Sequence, residues 1–199
     1  MNKGERSRQR ILKDAMQFSC VYGLSSVTIG EISKMTGMSR TGVISHFNSK
    51  EDMQIAILKY SENEYRETVV KPAYDEDALS HLNNHFKLWT NWIQRMEFNE
   101  AGSCPFIKAI IEYQDREDSE VKSTIKSQQK RLIEYLASIV KRCIDQGHFK
   151  KDLDPYDFTF EVYSFYVGHN IAKNLTSLKD ANKRVYSAVS KLIENSLNK

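Results

Sequence analysis

The stretch from Ser26 to Lys50, SVTIGEISKMTGMSRTGVISHFNSK, decides how the rest of the chain is read. Its first half sets Ile29, Ile32 and Met35 at helical spacing behind Thr28, a residue suited to an N-cap. Gly37 interrupts the pattern. Ser39 then offers a second N-cap to a short helix predicted from Arg40 to about His46, with Val43 and Phe47 as its apolar anchors. Helix, glycine-containing turn and helix is the layout of a helix-turn-helix, whose second helix lies in the major groove of DNA. Hydrogen-bonding side chains occupy Ser39, Arg40, Thr41, Ser45 and His46, and Gly42 allows the backbone to come close.

Working outward, residues 5–22 read as an amphipathic helix. Ile11, Leu12, Ala15, Met16, Phe18 and Tyr22 form its apolar stripe, and Gly23 stops it. Arg6, Arg8, Arg10 and Lys13 crowd its first turns, either as a solvated helix end or as phosphate contacts. On the other side, Ser49 and Asp52 stand in S-x-x-D spacing, with Lys50 exposed in the first turn. The helix they open carries Met53, Ile55, Ala56, Ile57 and Tyr60 and runs towards Val70, where Pro72 is expected to end it. At about 20 residues it would span roughly 30 Å.

The remainder reads as further helices: 77 to about 97, 105 to about 114, 119–146, one opened by Asp154-Pro155, and 180–197. Glu100 to Ser103 is predicted as a loop. No segment alternates with period two, so the expected fold is all-α.

Charge agrees with the position of the motif. Residues 1–60 hold nine Lys or Arg against five Asp or Glu, an excess of four, while residues 61–199 hold twenty against twenty-one. The positive excess sits with the helix-turn-helix, the footprint expected of phosphate contact. The N-terminus is basic with no apolar core behind it, and no run reaches bilayer length, so neither a signal peptide nor a membrane span is predicted. Three widely spaced cysteines, Cys20, Cys104 and Cys143, argue against a disulfide framework and suit a reducing cytoplasm.

Residues 7–60 resemble the DNA-binding domain of the tetracycline-repressor (TetR/AcrR) family of bacterial regulators. The resemblance rests on R-x-x-I-L-x-x-A at Arg8, Ile11, Leu12 and Ala15, and on F-x-x-x-Y-G at Phe18, Tyr22 and Gly23. It continues through Thr28, Ile29 and Ile32, through G-M-S-R at Gly37 to Arg40, and through His46, Phe47, Ser49, Lys50 and Glu51. One departure is Ile44, where many members place an aromatic residue that touches a phosphate; the expectation is that Ile44 packs inward instead. SCPFIKAIIEYQD, residues 103–115, is similar to a pattern in the ligand domain of one branch of the family, with Ser103 in place of Gly and Gln114 intervening before Asp115.

The resemblance implies a helix-turn-helix domain over 1–50, a linking helix over 51–71, and a ligand-binding and dimerisation domain over 72–199. It further implies a homodimer that binds operator DNA, most often as a repressor, and that a small-molecule effector releases. The DNA-contact candidates are Thr28, Ser39, Arg40, Thr41, Gly42, Ser45, His46 and Lys50. Trp89, Trp92, Phe106, Tyr113, Phe165 and Tyr166 are candidates to line an apolar effector pocket, with Glu112 either meeting a polar group on the effector or paired locally. Phe158, Val162, Val185, Val189 and Leu192 are candidates for a four-helix dimer seam. The alternative is a helical protein-interaction module without specific DNA binding.

His81 and His85 share a helix face at i, i+4, but lack the H-E-x-x-H pattern or a nearby third ligand, so no metal is predicted. Cys104 has no base near it in sequence, and no phosphate loop, dinucleotide fingerprint or G-x-S-x-G occurs. No catalytic residue and no cofactor are expected.

Overall fold

The computed structural model describes all residues except 1, 97, 99–101, 177 and 199. Its described residues are helical or in turns, with a single bridge between Phe149 and Leu197 and no strand, and they form two compact units. The first comprises residues 1–65 and 93–128; the second comprises 66–92 and 129–199.

The first unit begins with α1, Lys3–Tyr22, started by a capping box in which Asn2 and Glu5 hold each other's backbone amides. It buries Ile11, Leu12, Ala15, Met16 and Cys20. Helix α2, Ile29–Thr36, is capped by Thr28, whose hydroxyl accepts from the Glu31 amide at 3.2 Å. Of its three expected inward residues only Ile32 is buried; Ile29 is half-buried and Met35 is exposed. An eight-residue helix on a small core can present only a narrow stripe. Gly37, at φ 68 and ψ 11, makes the left-handed turn into α3, Arg40–Ile44.

Helix α3 ends two residues earlier than predicted, because the chain tightens so that the His46 amide reaches Val43 O and the Phe47 amide reaches Ile44 O. Val43 and Phe47 are buried as expected. Helix α4, Lys50–Tyr65, starts with the Asp52 amide on Ser49 Oγ at 3.0 Å and the Asn48 amide on Asp52 Oδ2 at 2.9 Å.

Winding does not stop before Pro72. It passes through a wider π turn, Arg66–Val70, into α5, Lys71–Ala73. Pro72 lacks the amide that would bond to residue 68, and the wider register is one way a helix tolerates that loss.

In the second unit α6, Ala78–Thr90, starts at Asp77 and ends earlier than predicted. Its expected end at Glu97, and Glu100 and Ala101 of the expected loop, lie outside the described residues. Helix α7, Pro105–Tyr113, belongs with the N-terminal helices of the first unit, and α8, Glu120–Asp145, passes from the first unit into the second. Helices α9, Pro155–Asn174, and α10, Ala181–Ser196, complete the second unit and pack along each other. Asp154 caps α9 by accepting from the amides of Tyr156 and Asp157. The aromatic core there is ordered: Trp89 stacks on Tyr166 at 3.9 Å and 17°, and Phe86 meets Tyr186 edge-on.

His81 and His85 face inward into this core. Arg142 Nη1 donates to His81 Nδ1 at 2.8 Å, so His81 Nε2–H donates to the Tyr135 hydroxyl at 3.0 Å. That hydroxyl points on to His85 Nδ1 at 3.5 Å. Burial pushes Tyr135 up to about 12, which keeps its proton in place. Burial, and then the neighbouring His81, pushes His85 down to about 3.

The unfolded chain therefore takes up a proton at residue 85 before the folded one does. Stability carried by the neutral ring is whole above the ordinary histidine value of 6.5 and is lost as pH falls from there towards 3. The slope is at most about 1.4 kcal/mol per pH unit. Urea unfolding measured from pH 7 to pH 4.5 should lose that slope in His85→Phe; an unchanged slope would contradict the assignment.

Candidate DNA-reading surface and ligand-domain residues

The exposed face of the helix-turn-helix is polar by construction. With Val43 and Phe47 turned inward, Ser39, Arg40, Thr41 and Ser45 are exposed, and Gly42 and His46 are half-buried. Ser39 Oγ accepts from the Gly42 amide at 3.1 Å and Thr28 Oγ1 from that of Glu31, so each hydroxyl fixes a helix start while keeping its own proton to donate. Ser45 Oγ donates to Gly42 O at 2.8 Å, and Lys50 Nζ donates to Ser25 O at 2.8 Å.

Ile44 does not pack inward: it is 55% exposed. Its neighbour Val43 holds the inward position, and successive residues of a helix point about 100° apart. Ile44 thus shares the outer face with Arg40, Thr41 and Ser45.

The basic residues of α1 divide. The Arg8 guanidinium lies over the Phe47 ring at 5.3 Å, and Arg10 reaches Thr36 O at 3.4 Å, so both tie α1 to the motif. Arg6 and Lys13 are exposed.

Helix α7 is seated on the turn that follows α1. Lys108 Nζ donates to Val21 O, and Glu112 accepts from the Ser25 amide at 2.9 Å. The Tyr113 hydroxyl donates to Gln54 Oε1 at 3.2 Å, while Gln54 Nε2 donates to Leu24 O at 3.0 Å. Gly23 makes room: at φ +89, a β-carbon there would stand 1.6 Å from Glu112 Oε1. Glu112 is therefore locally paired, and Lys108 and Gln54, which no motif singled out, complete the seat. The readable signals were a lone carboxylate on an apolar helix and the glycine closing F-x-x-x-Y-G.

The expected pocket residues are distributed over both units. Trp89, Trp92, Phe165 and Tyr166 lie in the second, where Trp92 Nε1–H donates to the Tyr166 hydroxyl at 3.3 Å. Phe106, Glu112 and Tyr113 lie in the first, where Phe106 meets Tyr65 edge-on at 6.1 Å.

The residues expected at the dimer seam lie on α9 and α10. Phe158, Val162, Val185 and Val189 are buried within their own unit, so the stripe they form belongs to its interior. Leu192 is half-buried and lines a groove of about 680 Å³ with Phe165, Arg184 and Ala188. The apolar residues left outside on α9 are Tyr156, Phe160 and Ile171, with Leu175 just beyond; Phe160 is 72% exposed.

All three cysteines are buried thiols outside any disulfide, and burial raises the pKa of Cys20 and, to about 12, that of Cys143. Among the described residues no group of three or more His, Cys, Asp or Glu could hold a metal, and no helix is long and apolar enough to cross a membrane.

Comparison with known proteins places this geometry. Over 61 residues, 31% of this chain, the sequence is 34% identical to the HTH-type transcriptional regulator AcrR of Shigella flexneri; the match spans 28% of that relative. A TetR transcriptional regulator from Chloroflexus aurantiacus superposes with a TM-score of 0.85 at 20% identity, covering 99% of this chain and 98% of that one. AibR, in complex with isovaleryl coenzyme A and operator DNA, superposes with a TM-score of 0.70 at 19% identity, covering 94% and 98%. Residues 78–189 match the model of the tetracyclin repressor-like C-terminal domain. With that model covering more than half of its length behind an N-terminal helix-turn-helix, the chain belongs to the tetracycline-repressor family of transcriptional regulators.

Proposed function

We propose that the protein is a ligand-responsive repressor that binds operator DNA as a homodimer in the cytoplasm and is released by a small, largely apolar effector. Residues 1–50 act as the DNA-binding domain, 51–71 as the linking helix and 72–199 as the ligand-binding and dimerisation domain. No catalytic step and no cofactor enter the proposal. The observation that carries it is the outer face of α3, where Ser39, Arg40, Thr41 and Ser45 stand exposed on a buried Val43–Phe47 base.

Arg40 carries base or phosphate recognition, Thr41 and Ser45 reach either, and Thr28, Gly42, His46 and Lys50 flank them. The exposed Ile44 suits the methyl group of a thymine in the major groove, which keeps an apolar residue compatible with a reading face. AibR, of similar fold, is known with both an acyl-coenzyme A and operator DNA. That pairing supports a two-ligand reading here without naming this chain's effector.

The seat of α7 supports coupling. A helix within the family's ligand-domain model is bonded to the turn after α1, so a ligand that favours another position of α7 acts on the reader directly. The effector must prefer the released state by as much free energy as the operator gains from the bound one.

At 150 mM salt, Arg40→Ala should weaken operator binding at least about tenfold, and a lost phosphate contact should make the salt dependence shallower by about one unit. Binding of selected genomic fragments by gel shift at several salt concentrations measures both, and unchanged affinity and slope would remove Arg40 from the interface.

For the dimer, the outer face of α9 replaces the buried stripe as the proposed seam, with Phe160, Ile171 and Leu175 meeting their copies across the Leu192 groove. Light scattering should report a dimer at micromolar concentration and a folded monomer for Phe160→Asp. A dimeric Phe160→Asp would place the interface elsewhere.

A further inference from the structure

Gly30 has no conformational reason to be glycine. It lies in the first turn of α2 without the positive φ that Gly23 and Gly37 adopt, and within a helix only proline is less favourable. What its missing side chain leaves open is a path. A β-carbon on Gly30 would stand 3.7 Å from Arg40 Nη2 and 3.8 Å from Thr28 Oγ1. The guanidinium of the first residue of α3 is thus laid back across the first turn of α2, beside the hydroxyl that caps it. An alanine would fit against it at ordinary contact distance; a longer side chain would take its place.

The groups that meet there are donors. Thr28 Oγ1 already accepts from the Glu31 amide, so its own proton is left for a neighbour, and a guanidinium has donors only. Glu31, the carboxylate of the same turn, is turned along α2 to Lys34 at 2.8 Å. Arg8, Arg10 and Lys50 are committed to the fold, on the Phe47 ring, Thr36 O and Ser25 O. Arg40, by contrast, is exposed and donates to no described residue.

We propose that Thr28 and Arg40 together hold one phosphate of the operator backbone, and that Gly30 is the positioning residue that allows it. In a helix-turn-helix the first helix crosses the backbone while the second enters the groove. A guanidinium drawn back over α2 is therefore on the backbone side of the reader, and Thr41, Ile44 and Ser45 are left to meet the bases. A phosphate accepts side-by-side N–H bonds from the guanidinium and a further bond from the hydroxyl. Arg40 then sets where the reader sits and how steeply salt weakens it, without choosing the sequence. The proposal rests on the operator-binding reading above and assigns Arg40 within it.

The test measures binding of the full-length protein to its selected operator and to every single-base variant of that operator, at several salt concentrations. Arg40→Ala should weaken all of them alike, by about tenfold or more, and lower the salt slope by about one unit. Arg40→Lys, which keeps the charge without the fork, should recover the slope and leave the ranking of sequences unchanged. Gly30→Leu should copy Arg40→Ala at an unchanged or higher Tm and add nothing to it in the double variant, while Gly30→Ala binds like the wild type. Thr28→Asp keeps a capping side chain but sets a carboxylate against the phosphate, so it should lose affinity on every sequence, and Thr28→Asn should regain it. Relaxed preference at one base pair in Arg40→Ala would show the guanidinium reading a guanine and overturn the proposal. So would Gly30→Leu with wild-type affinity and slope. Either result leaves operator binding itself standing, whereas a wild-type protein that selects no operator sinks the regulator reading and this assignment with it.

Discussion

A carboxylate occupies the place of a missing β-carbon. Glu112 on α7 stands so close to Gly23 that any other residue there would collide with it, and the same glycine holds φ at +89, a region that side chains disfavour. Four residues earlier on α7, Lys108 addresses Val21 O at the end of α1, while Glu112 addresses the Ser25 amide in the turn that follows. The opposite charges of an i, i+4 pair thus meet opposite poles of the chain: the ammonium takes a helix-end carbonyl and the carboxylate takes free amide hydrogen.

The proposed DNA-reading helix belongs to the same unit as this seat. Helix α3 has five residues, far below the length at which a helix persists alone, so its geometry is borrowed from its neighbours. Ser39 starts it, Val43 and Phe47 hold it down, and Arg8 of α1 covers the Phe47 ring. Arg10 binds the last carbonyl of α2, at Thr36. The end of α1 fixed by α7 and the body of α1 fixed to the reader are one rigid helix of 20 residues.

The fold was legible in the sequence because its signals are local. Thr28, Ser39 and Asp154 cap where cap chemistry says they should, and Gly37 turns where only glycine turns easily. Element ends were less legible, since Pro72 was absorbed by a π turn and α3 tightened after Ile44, both set by packing. Burial within a helix pair was not legible at all. The stripe through Val185 and Val189 has the same spacing whether it meets α9 of its own chain or of a copy, and only the packed structure assigns it inward. Ile44 was misplaced for a related reason: an apolar residue reads as inward unless its neighbour already holds that position.

The assignment of α7 follows from the same distinction between chain order and contact. The family's ligand-domain model runs continuously from residue 78 to 189, and α7 lies inside it. By packing, however, α7 belongs to the compact unit that contains the DNA reader. A helix held only by ligand-domain neighbours could respond to an effector without informing the operator, and one held only by the reader could not receive an effector's free energy. Coupling needs an element with a stake in both states. In the proposed switch helix α7 is that element, lying in the ligand-domain model by sequence and bonded to the turn after α1 by Lys108 and Glu112.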